Sequence, residues 1–394
     1  MDTVGTGPNE SQDIGRAYTK QLGSVGLLQI SLVFLAIVTY CYFDLPQWAA
    51  RIAELITGNF YLQLSFCWLP VWIIYTACSL PSSCWRFHLD RKFGLSQATF
   101  TKTILDFLKA KAILLVFGSA LLEIQFASHM LSRSYGWILA GGLCSTLFFV
   151  IDRSLPFLLS LFYRVVPLSN DSLRERLARL SGSAKIRIAA IFEWHISGRT
   201  RQANALVSGF GTGRRIFLTD TLLNELSPDE IEALVAHELG HCALHHVVKR
   251  MLFQCAILCG IFWVINFAVV NGLVWLGTER LGWNDLNLVP GTLVIFVFGQ
   301  FYGNFFMAAL SRGQERAADL YSWKLTGSTA PFISAMRKLQ DLNLIVFDKR
   351  TQWNRSHPAT AERIAAAQQY EIKHLASIGV TQDSHNPIAG LSIE

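Results

Sequence analysis

Charged residues are scarce in this chain of 394 residues. Only 16% are Asp, Glu, Lys or Arg, whereas 52% are hydrophobic, and the mean hydropathy is +0.34. Soluble globular domains carry about 25% charged residues, so this composition excludes an ordinary soluble domain. The chain also lacks a basic stripe interleaved with aromatic residues, and its net charge of +6 therefore does not indicate a nucleic-acid partner.

Cysteine spacing typical of a metal site or a secreted disulfide scaffold is also absent. None of the eight cysteines forms a CxxC pair, and all lie in or beside apolar segments, as small buried residues do. A cleavable signal peptide is not indicated either. The first apolar run is too long, and it is followed by Asp44 instead of a small-residue cleavage site.

The chain has long apolar runs instead. Each exceeds the roughly 20 residues that cross a ~30 Å hydrocarbon core as a helix. Two runs are interrupted: residues 112–132 by Glu123, and residues 134–162 by Asp152, Arg153 and Pro156. We predict six spans, and we allow a seventh if residues 135–168 divide into two segments. The remaining runs are 21–43, 55–85, 251–278 and 286–311.

Basic residues are distributed unevenly between these runs. Residues 86–111 and 168–250 are rich in Lys and Arg, whereas the connections around 44–54, 133 and 279–285 are poor in them. By the positive-inside rule, the basic segments face the cytoplasm. With six spans, the N-terminus, residues 168–250 and the C-terminal tail lie on that same side. Two halves of a site in those segments can therefore meet.

The stretch VAHELGHCALHH, residues 235–246, lies directly before an apolar run. Ser227 as N-cap and Glu230 three residues later form a capping box, so a helix is predicted to begin at Pro228. On that helix His237 and His241 are four residues apart, and both imidazoles face the same way. This is the spacing with which two histidines bind one Zn²⁺.

A catalytic zinc site also needs a general base, a third ligand and an open position. Glu238, next to His237, is the candidate base for the water that zinc activates. The metzincin pattern fails because Val247 stands where its third histidine is required. His245 continues the histidine face, but three ligands at successive four-residue spacings on one straight helix cannot converge. We therefore interpret His245 and His246 as polar lining in preference to ligands.

The remaining candidate for the third ligand is Glu315, on a helix that leaves the last span. Asp319 follows four residues later and is predicted to accept a hydrogen bond from a ligating histidine. Arg312 lies on the same helix face. HExxH followed by a separate ExxxD is the gluzincin pattern.

Other polar residues within the spans leave alternatives open. Glu123 either lines a wet cavity or pairs with a neighbour. Gln300 and Asn304 share a helix face and either line a cavity or form hydrogen bonds between helices. The adjacent Gly299 and Gly303 form a GxxxG motif, which favours close helix packing.

Together these features resemble the type I CAAX prenyl endopeptidases, which are integral-membrane gluzincins. The resemblance rests on HELGH at 237–241, SRGQERAAD at 311–319 and the flanking spans. It extends to FHLDRKFG at 87–94, QANA at 202–205, RIFLTDTLL at 215–223, and SHP at 356–358 followed by Glu362 and Arg363.

The resemblance implies a mainly α, polytopic membrane protein. A barrel of about six or seven transmembrane helices would surround a water-filled chamber, with a cytoplasmic-side zincin-like α+β metalloprotease domain. The chain then divides into a polar N-terminal segment (1–20), membrane helices one to four (21–168), a first catalytic half (169–250), membrane helices five and six (251–311), and a second catalytic half with the tail (312–394). Within the first half we predict a helix over 172–181 and strands at 186–193, 203–208 and 215–219.

The resemblance also implies roles for individual residues. One zinc ion per chain would be bound by His237, His241 and Glu315, with Glu238 as base. Asn204 and His357 would lie beside the substrate, and His357 would be a candidate for stabilising the oxyanion. Asp319 would orient a ligand, and Arg312 would support this network.

The predicted function is a membrane-embedded zinc endopeptidase that cleaves near the C-terminus of prenylated CAAX-type or other membrane-associated proteins. The alternative is a membrane-protein quality-control metalloprotease acting on misfolded or unprenylated substrates. A third hypothesis is a non-catalytic scaffold or channel. The presence of Glu238 argues against it. The expected partners are a peptide or protein substrate and the lipid bilayer. We expect a multi-pass protein with a cytoplasmic-side site, in a bacterial inner membrane or alternatively in the endoplasmic reticulum membrane.

Overall fold

Long helices dominate the first part of the chain, as the apolar runs predict. The computed structural model describes residues 8–43, 45–154, 158, 161–209, 211–271, 283–344 and 357–377. The helices described before the first strand are α1 Pro8–Tyr42, α2 Leu45–Ile56, α3 Phe60–Lys92, α4 Phe100–Leu131 and α5 Gly136–Arg153.

A small sheet and further helices follow. The strands are β1 Arg164–Pro167, β2 Ala190–His195, β3 Ala205–Ser208 and β4 Arg215–Thr219, with a 3₁₀ turn at Gly211–Gly213. The helices are α6 Asp171–Ser183, α7 Asp220–Glu225, α8 Pro228–Ala243, α9 His246–Val270, α10 Leu288–Thr326, α11 Ala330–Asn343 and α12 Thr360–Ser377. The strand order is β1-β2-β4-β3. β2 and β4 are parallel and the outer pairs antiparallel, so β3 is an edge strand of this sheet.

Each predicted span coincides with a described helix over most of its length. Within the described part of the chain, four helices are long and apolar enough to cross a membrane: residues Asp13–Tyr40 of α1, together with α3, α9 and α10. α5 contributes a shorter apolar helix, Gly136–Ile151, and α4 covers the run predicted at 112–132. Large apolar side chains such as Leu27, Val116 and Leu252 are more than 60% exposed on these helices, which suits contact with lipid.

The structure corrects the prediction in three places. The prediction that a seventh span could extend to residue 168 is wrong over Arg164–Pro167, because these residues form a strand that pairs with β2. The second strand begins at Ala190 instead of residue 186, because its partner β4 begins only at Arg215. Helix α2, between the first two spans, was not predicted. Pro156 and the ends of several predicted segments (272–278, 345–356 and 378–394) lie outside the described residues.

Two hydrophobic cores are joined by α10. One core packs α6, the sheet, α8, α11 and α12, and includes Trp323 near the end of α10. The other packs the membrane helices and includes Leu288 at the start of α10. This helix of 39 residues therefore extends without a break from the membrane core into the core around the sheet.

Polar and small residues between the membrane helices mediate packing. A Cβ atom on Gly303 would lie 2.8 Å from Ile257 Cγ2, and one on Gly299 would lie 2.6 Å from Ile261 Cγ1. The prediction of close packing at the GxxxG motif is thus confirmed. Gln254 donates to Gln300 at 3.4 Å. Ser65 Oγ donates to Glu123 at 2.7 Å, so Glu123 pairs with a neighbouring helix.

Candidate active site

Helix α8 begins where the capping signals predict. Ser227 N donates to Glu230 Oε2 at 2.6 Å, and Glu230 N donates to Ser227 Oγ at 3.4 Å. Glu230 also accepts from Lys338 Nζ at 2.8 Å and from Ser334 Oγ at 2.6 Å on α11. Burial would raise the pKa of Glu230, but these hydrogen bonds outweigh burial and lower it. The capping box therefore also anchors α8 to α11.

The glycine of HELGH lets α10 approach α8 closely. A Cβ atom on Gly240 would lie 3.2 Å from the Cα and the carbonyl oxygen of Ala318. One turn away, Ser322 Oγ donates to the carbonyl of Ala233 at 2.8 Å. The close contact brings the carboxylate of Glu315 to the two histidines on α8.

Three potential ligand atoms converge between these helices. His237 Nε2 and His241 Nε2 are 3.2 Å apart. Glu315 Oε2 lies 3.4 Å from His237 Nε2, and Glu315 Oε1 lies 3.3 Å from His241 Nε2. In a tetrahedral zinc site with bonds of ~2.0–2.1 Å, the ligand atoms are separated by ~3.3–3.4 Å. The two nitrogens thus have the separation expected of zinc ligands, and each has a Glu315 oxygen at a similar distance. Among the described residues, His237, His241 and Glu315 form the group that could hold a metal.

The outer nitrogen of His237 contacts a buried ion pair. Its Nδ1 lies 2.8 Å from Asp319 Oδ1, the partner expected for a ligating histidine. Arg363 donates to both oxygens of Asp319, at 2.9 and 2.6 Å. Burial opposes a charge on His237, but hydrogen bonds to Asp319 and Glu315 raise the pKa of His237 to about 9. The two carboxylates beside His237 thus favour a positive charge at this position, as expected of a cation site.

The outer nitrogen of His241 contacts a second histidine. Its Nδ1 lies 2.9 Å from Nδ1 of His246, which is only 3% exposed. His245 lies in the preceding turn with φ 55° and is exposed. Neither His245 nor His246 belongs to the group that could hold a metal, as predicted, but neither lines the cavity, because α8 ends at Ala243. The turn directs His246 back to His241 and leaves His245 at the surface.

Three of the candidate catalytic residues line one cavity of about 190 Å³ together with His237 and Glu315. Glu238 lies on the α8 side, Asn204 directly precedes the edge strand β3, and His357 comes from the segment before α12. Asp319 lies behind His237 and does not line the cavity. His357 Nδ1 is 2.8 Å from Glu315 Oε2. Arg312 is half-buried on α10 and is not among the residues that line this cavity.

Two residues at this site, Arg363 and Asn343, had no predicted role, and the contact of His246 with His241 was not predicted. The only sequence signal for Arg363 was its place in the Glu362-Arg363 pair of the family resemblance. Asn343 had no sequence signal. Its amide accepts from Ala203 N at 2.8 Å and donates to Ala203 O at 3.0 Å, and this fixes the backbone next to Asn204.

Comparison with known proteins assigns the chain to a class. Residues 8–160 match the family model described as CAAX prenyl protease N-terminal, five membrane helices. Residues 167–371, more than half of the chain, match the model of peptidase family M48. The chain belongs to peptidase family M48, and it is a membrane metalloprotease of the kind that typically uses zinc.

Individual relatives agree with this assignment. The chain is 26% identical over 387 residues to a CAAX prenyl protease 1 homolog of Oryza sativa, covering 94% of this chain and 90% of the relative. It is 27% identical to CAAX prenyl protease 1 of Saccharomyces cerevisiae, with coverages of 74% and 69%. A metalloprotease of Bacillus subtilis, YhfN, is 30% identical over 60% of this chain, and the match spans only 56% of that relative.

A solved structure supports the fold. The crystal structure of S. mikatae Ste24p superposes with a TM-score of 0.78 at 23% identity, covering 91% of this chain and 88% of the other. The mainly helical membrane architecture predicted from the sequence is thus confirmed.

Proposed function

We propose that this chain is a zinc endopeptidase that hydrolyses peptide bonds near the C-terminus of prenylated CAAX-type or other membrane-associated proteins. The observation that carries the proposal is the convergence of two histidines and a glutamate. The Nε2 atoms of His237 and His241 are 3.2 Å apart, and each lies 3.3 to 3.4 Å from one oxygen of the Glu315 carboxylate, with Glu238 lining the same cavity. One zinc ion per chain would occupy this site, held by His237, His241 and Glu315. A scaffold or channel would need neither the ligands nor the glutamate.

The chemistry divides between the metal and Glu238. When bound, zinc lowers the pKa of water to about 7 and polarises the scissile carbonyl. Glu238 accepts the proton of the attacking water as its oxygen bonds to the carbonyl carbon. Glu238 then delivers that proton to the leaving nitrogen as the carbon–nitrogen bond breaks, so it ends the reaction as a carboxylate.

Two further residues are placed to act on the substrate. His357 is 57% exposed at its side chain and lines the cavity, so it is available to donate a hydrogen bond to the developing oxyanion. Asn204 lines the cavity beside edge strand β3. Its backbone is held by Thr219, through Asn204 N to Thr219 Oγ1 at 3.0 Å and Thr219 N to Asn204 O at 3.1 Å. Asn204 is therefore a rigid contact for the substrate.

The buried pair Asp319–Arg363 has a positioning role in this account. Asp319 would fix the ring of His237 so that Nε2 faces the metal. Arg363 compensates the charge of Asp319, because an unpaired buried carboxylate is costly. Burial alone would lower the pKa of Arg363, but Asp319 and Glu315 raise it, so it remains a cation.

The relatives and the position of the site support the proposed substrate class. The relatives in rice and yeast are named as CAAX prenyl proteases, and Glu315 lies on the same helix as a candidate span. Lys249 and Arg250 at the start of α9 support a cytoplasmic-side site by the positive-inside rule. The membrane would be a bacterial inner membrane or the endoplasmic reticulum membrane. The alternative substrate class, misfolded or unprenylated membrane proteins, is kept because the Bacillus subtilis relative is named only as a metalloprotease.

The test is a comparison of matched peptides with and without a farnesyl group on the cysteine, using the full chain in detergent. We expect zinc-dependent cleavage after the cysteine, with kcat/KM at least ten-fold higher for the farnesylated peptide. Equal cleavage of both peptides would contradict the CAAX proposal and support the alternative. Each assay is run beside Glu238→Gln to exclude a contaminating protease.

A further inference from the structure

A second, larger cavity lies between the membrane helices. It has a volume of about 510 Å³, and its wall comes from α1, α3, α4, α5, α9 and α10. The wall is almost entirely apolar, with residues such as Trp68, Ile74, Phe117, Leu121 and Val294. A buried water needs two to four polar partners, so this wall does not suit water. It suits a hydrocarbon ligand.

The cavity lies at the depth of one lipid leaflet. From Lys111 to Leu131, its last residue, α4 extends ~30 Å at ~1.5 Å per residue, which equals the thickness of the hydrocarbon core. The start of α4 contacts the segment between β2 and β3 through the ion pair of Asp106 with Arg199. Lys111 would therefore lie at headgroup level on the side of the catalytic residues. From Lys111 to Leu122, which lines the cavity, α4 descends ~16 Å. This is about half of the ~30 Å core.

The ammonium group of Lys111 lies beside the wall of the cavity. Lys111 Nζ lies 4.0 Å from the ring centroid of Tyr75, and Tyr75 lines the cavity. The ring of Phe107 is the other aromatic contact, at 5.1 Å. No acidic side chain in the described part of the chain forms a salt bridge with Lys111. A negatively charged headgroup would complement it.

The deep end of the cavity is closed by an amide. Gln125 lines the cavity and is 3% exposed. Its Nε2 atom has no hydrogen-bond partner among the described residues. A hydrocarbon chain entering from Lys111 would therefore end at Leu121 and Leu122, one turn before this amide.

Along α10 the cavity is far from the metal ligands. Val297 is the cavity residue of α10 closest in sequence to Glu315, and the helix between them extends ~27 Å. This separation favours a lipid of the bilayer over the prenyl group of a bound substrate as the occupant.

We propose that this cavity binds one acyl chain of an anionic phospholipid, with the phosphate beside Lys111. The lipid belongs to the leaflet on the side of the catalytic residues and stays bound during substrate binding and product release. The proposal does not depend on which peptides the enzyme cleaves.

The test is native mass spectrometry of the full chain after incubation with phosphatidylglycerol or phosphatidylcholine of the same acyl chains. We expect one tightly bound lipid and about five-fold preference for the anionic headgroup, the factor that one basic residue gives near a membrane surface. Lys111→Gln is expected to lose the preference and keep the binding. Lys109→Gln, at the same level but bonded to the carbonyl of Leu161, is the control and should keep the preference.

A second variant tests the cavity itself. Val294→Trp fills it and should lower lipid occupancy at least ten-fold for both headgroups, whereas Val264→Trp, at an exposed position of α9, should not. Wild-type protein that retains no lipid, or Val294→Trp with undiminished occupancy, would overturn the proposal. Displacement of the phospholipid by farnesylcysteine methyl ester at equal concentration would also overturn it, because the cavity would then be an isoprenoid site.

Discussion

The two histidines proposed as zinc ligands have outer partners that differ in charge. His237 contacts Asp319, a carboxylate paired with Arg363, whereas His241 contacts the imidazole of His246. With zinc on Nε2 of His241, the proton of its neutral ring would be on Nδ1 and would be donated to Nδ1 of His246. His246 would then orient His241 without adding a negative charge.

Removal of His246 should weaken metal binding. We expect His246→Ala to lower zinc affinity 10- to 100-fold, the usual effect of losing the outer partner of a ligand. His246→Asn should recover part of the loss, because an amide oxygen can accept the same hydrogen bond. The measurement is equilibrium competition with a chromophoric chelator.

The neighbouring histidine supplies the control for that measurement. His245→Asn changes an exposed residue with positive φ, a conformation that Asn tolerates, and should leave the affinity unchanged. If His246→Ala and His245→Asn bound zinc equally well, the orienting role of His246 would be refuted.

At the scale of the elements, local signals predicted the start of α8 and long-range contacts determined what followed. Ser227 and Glu230 are close in sequence, so the capping box could be read directly. The end of α8 before His245 has no glycine or proline to mark it, and β1 forms only because β2 lies beside it. Asn343 fixes Ala203 from 140 residues away, a contact that no local pattern indicates.

The capping box should make a pH-dependent contribution to stability. Glu230→Ala is expected to cost about 1–2 kcal/mol, since it removes the cap and the partner of Lys338. Glu230→Gln retains a cap acceptor and removes only the charge. Because the folded pKa of Glu230 is lowered, the stabilisation from its charge is complete above the unfolded value of about 4.3. It is lost as the pH falls through the folded value.

Thermal unfolding of the wild type and Glu230→Gln across this range checks the sign. The difference in melting temperature between them should be constant near neutral pH and should shrink below about pH 4. A difference that grew on acidification would contradict the assigned direction.

At the scale of the whole molecule, α10 is the element on which the proposed site depends. It joins the membrane core to the core around the sheet and presents Glu315 to α8. The need for a third ligand let the sequence predict Glu315, because HExxH supplies only two. Arg363 was missed as a functional residue because its burial against Asp319 depends on how α12 packs on α10.

The contact between α9 and α10 should be sensitive to one methyl group. Gly303→Ala places a Cβ atom against Ile257 Cγ2, and overpacking of this kind costs about 1–3 kcal/mol. Ile257→Ala removes the opposing atom, so the loss in the double variant should be smaller than the sum of the two single losses. Gly260→Ala, where a Cβ would meet nothing within 4 Å, is the matched control. Additive losses in the double variant would argue against close packing at Gly303.

The central claim is that Glu238 moves the proton at a metal site built by His237, His241 and Glu315. It is tested most directly by measuring metal content and peptide cleavage in Glu238→Gln. Glu238 is not a ligand in this account, so zinc should remain at one ion per chain while cleavage falls about 10²- to 10⁴-fold. A Glu238→Gln protein that holds its zinc and cleaves at the wild-type rate would contradict the claim.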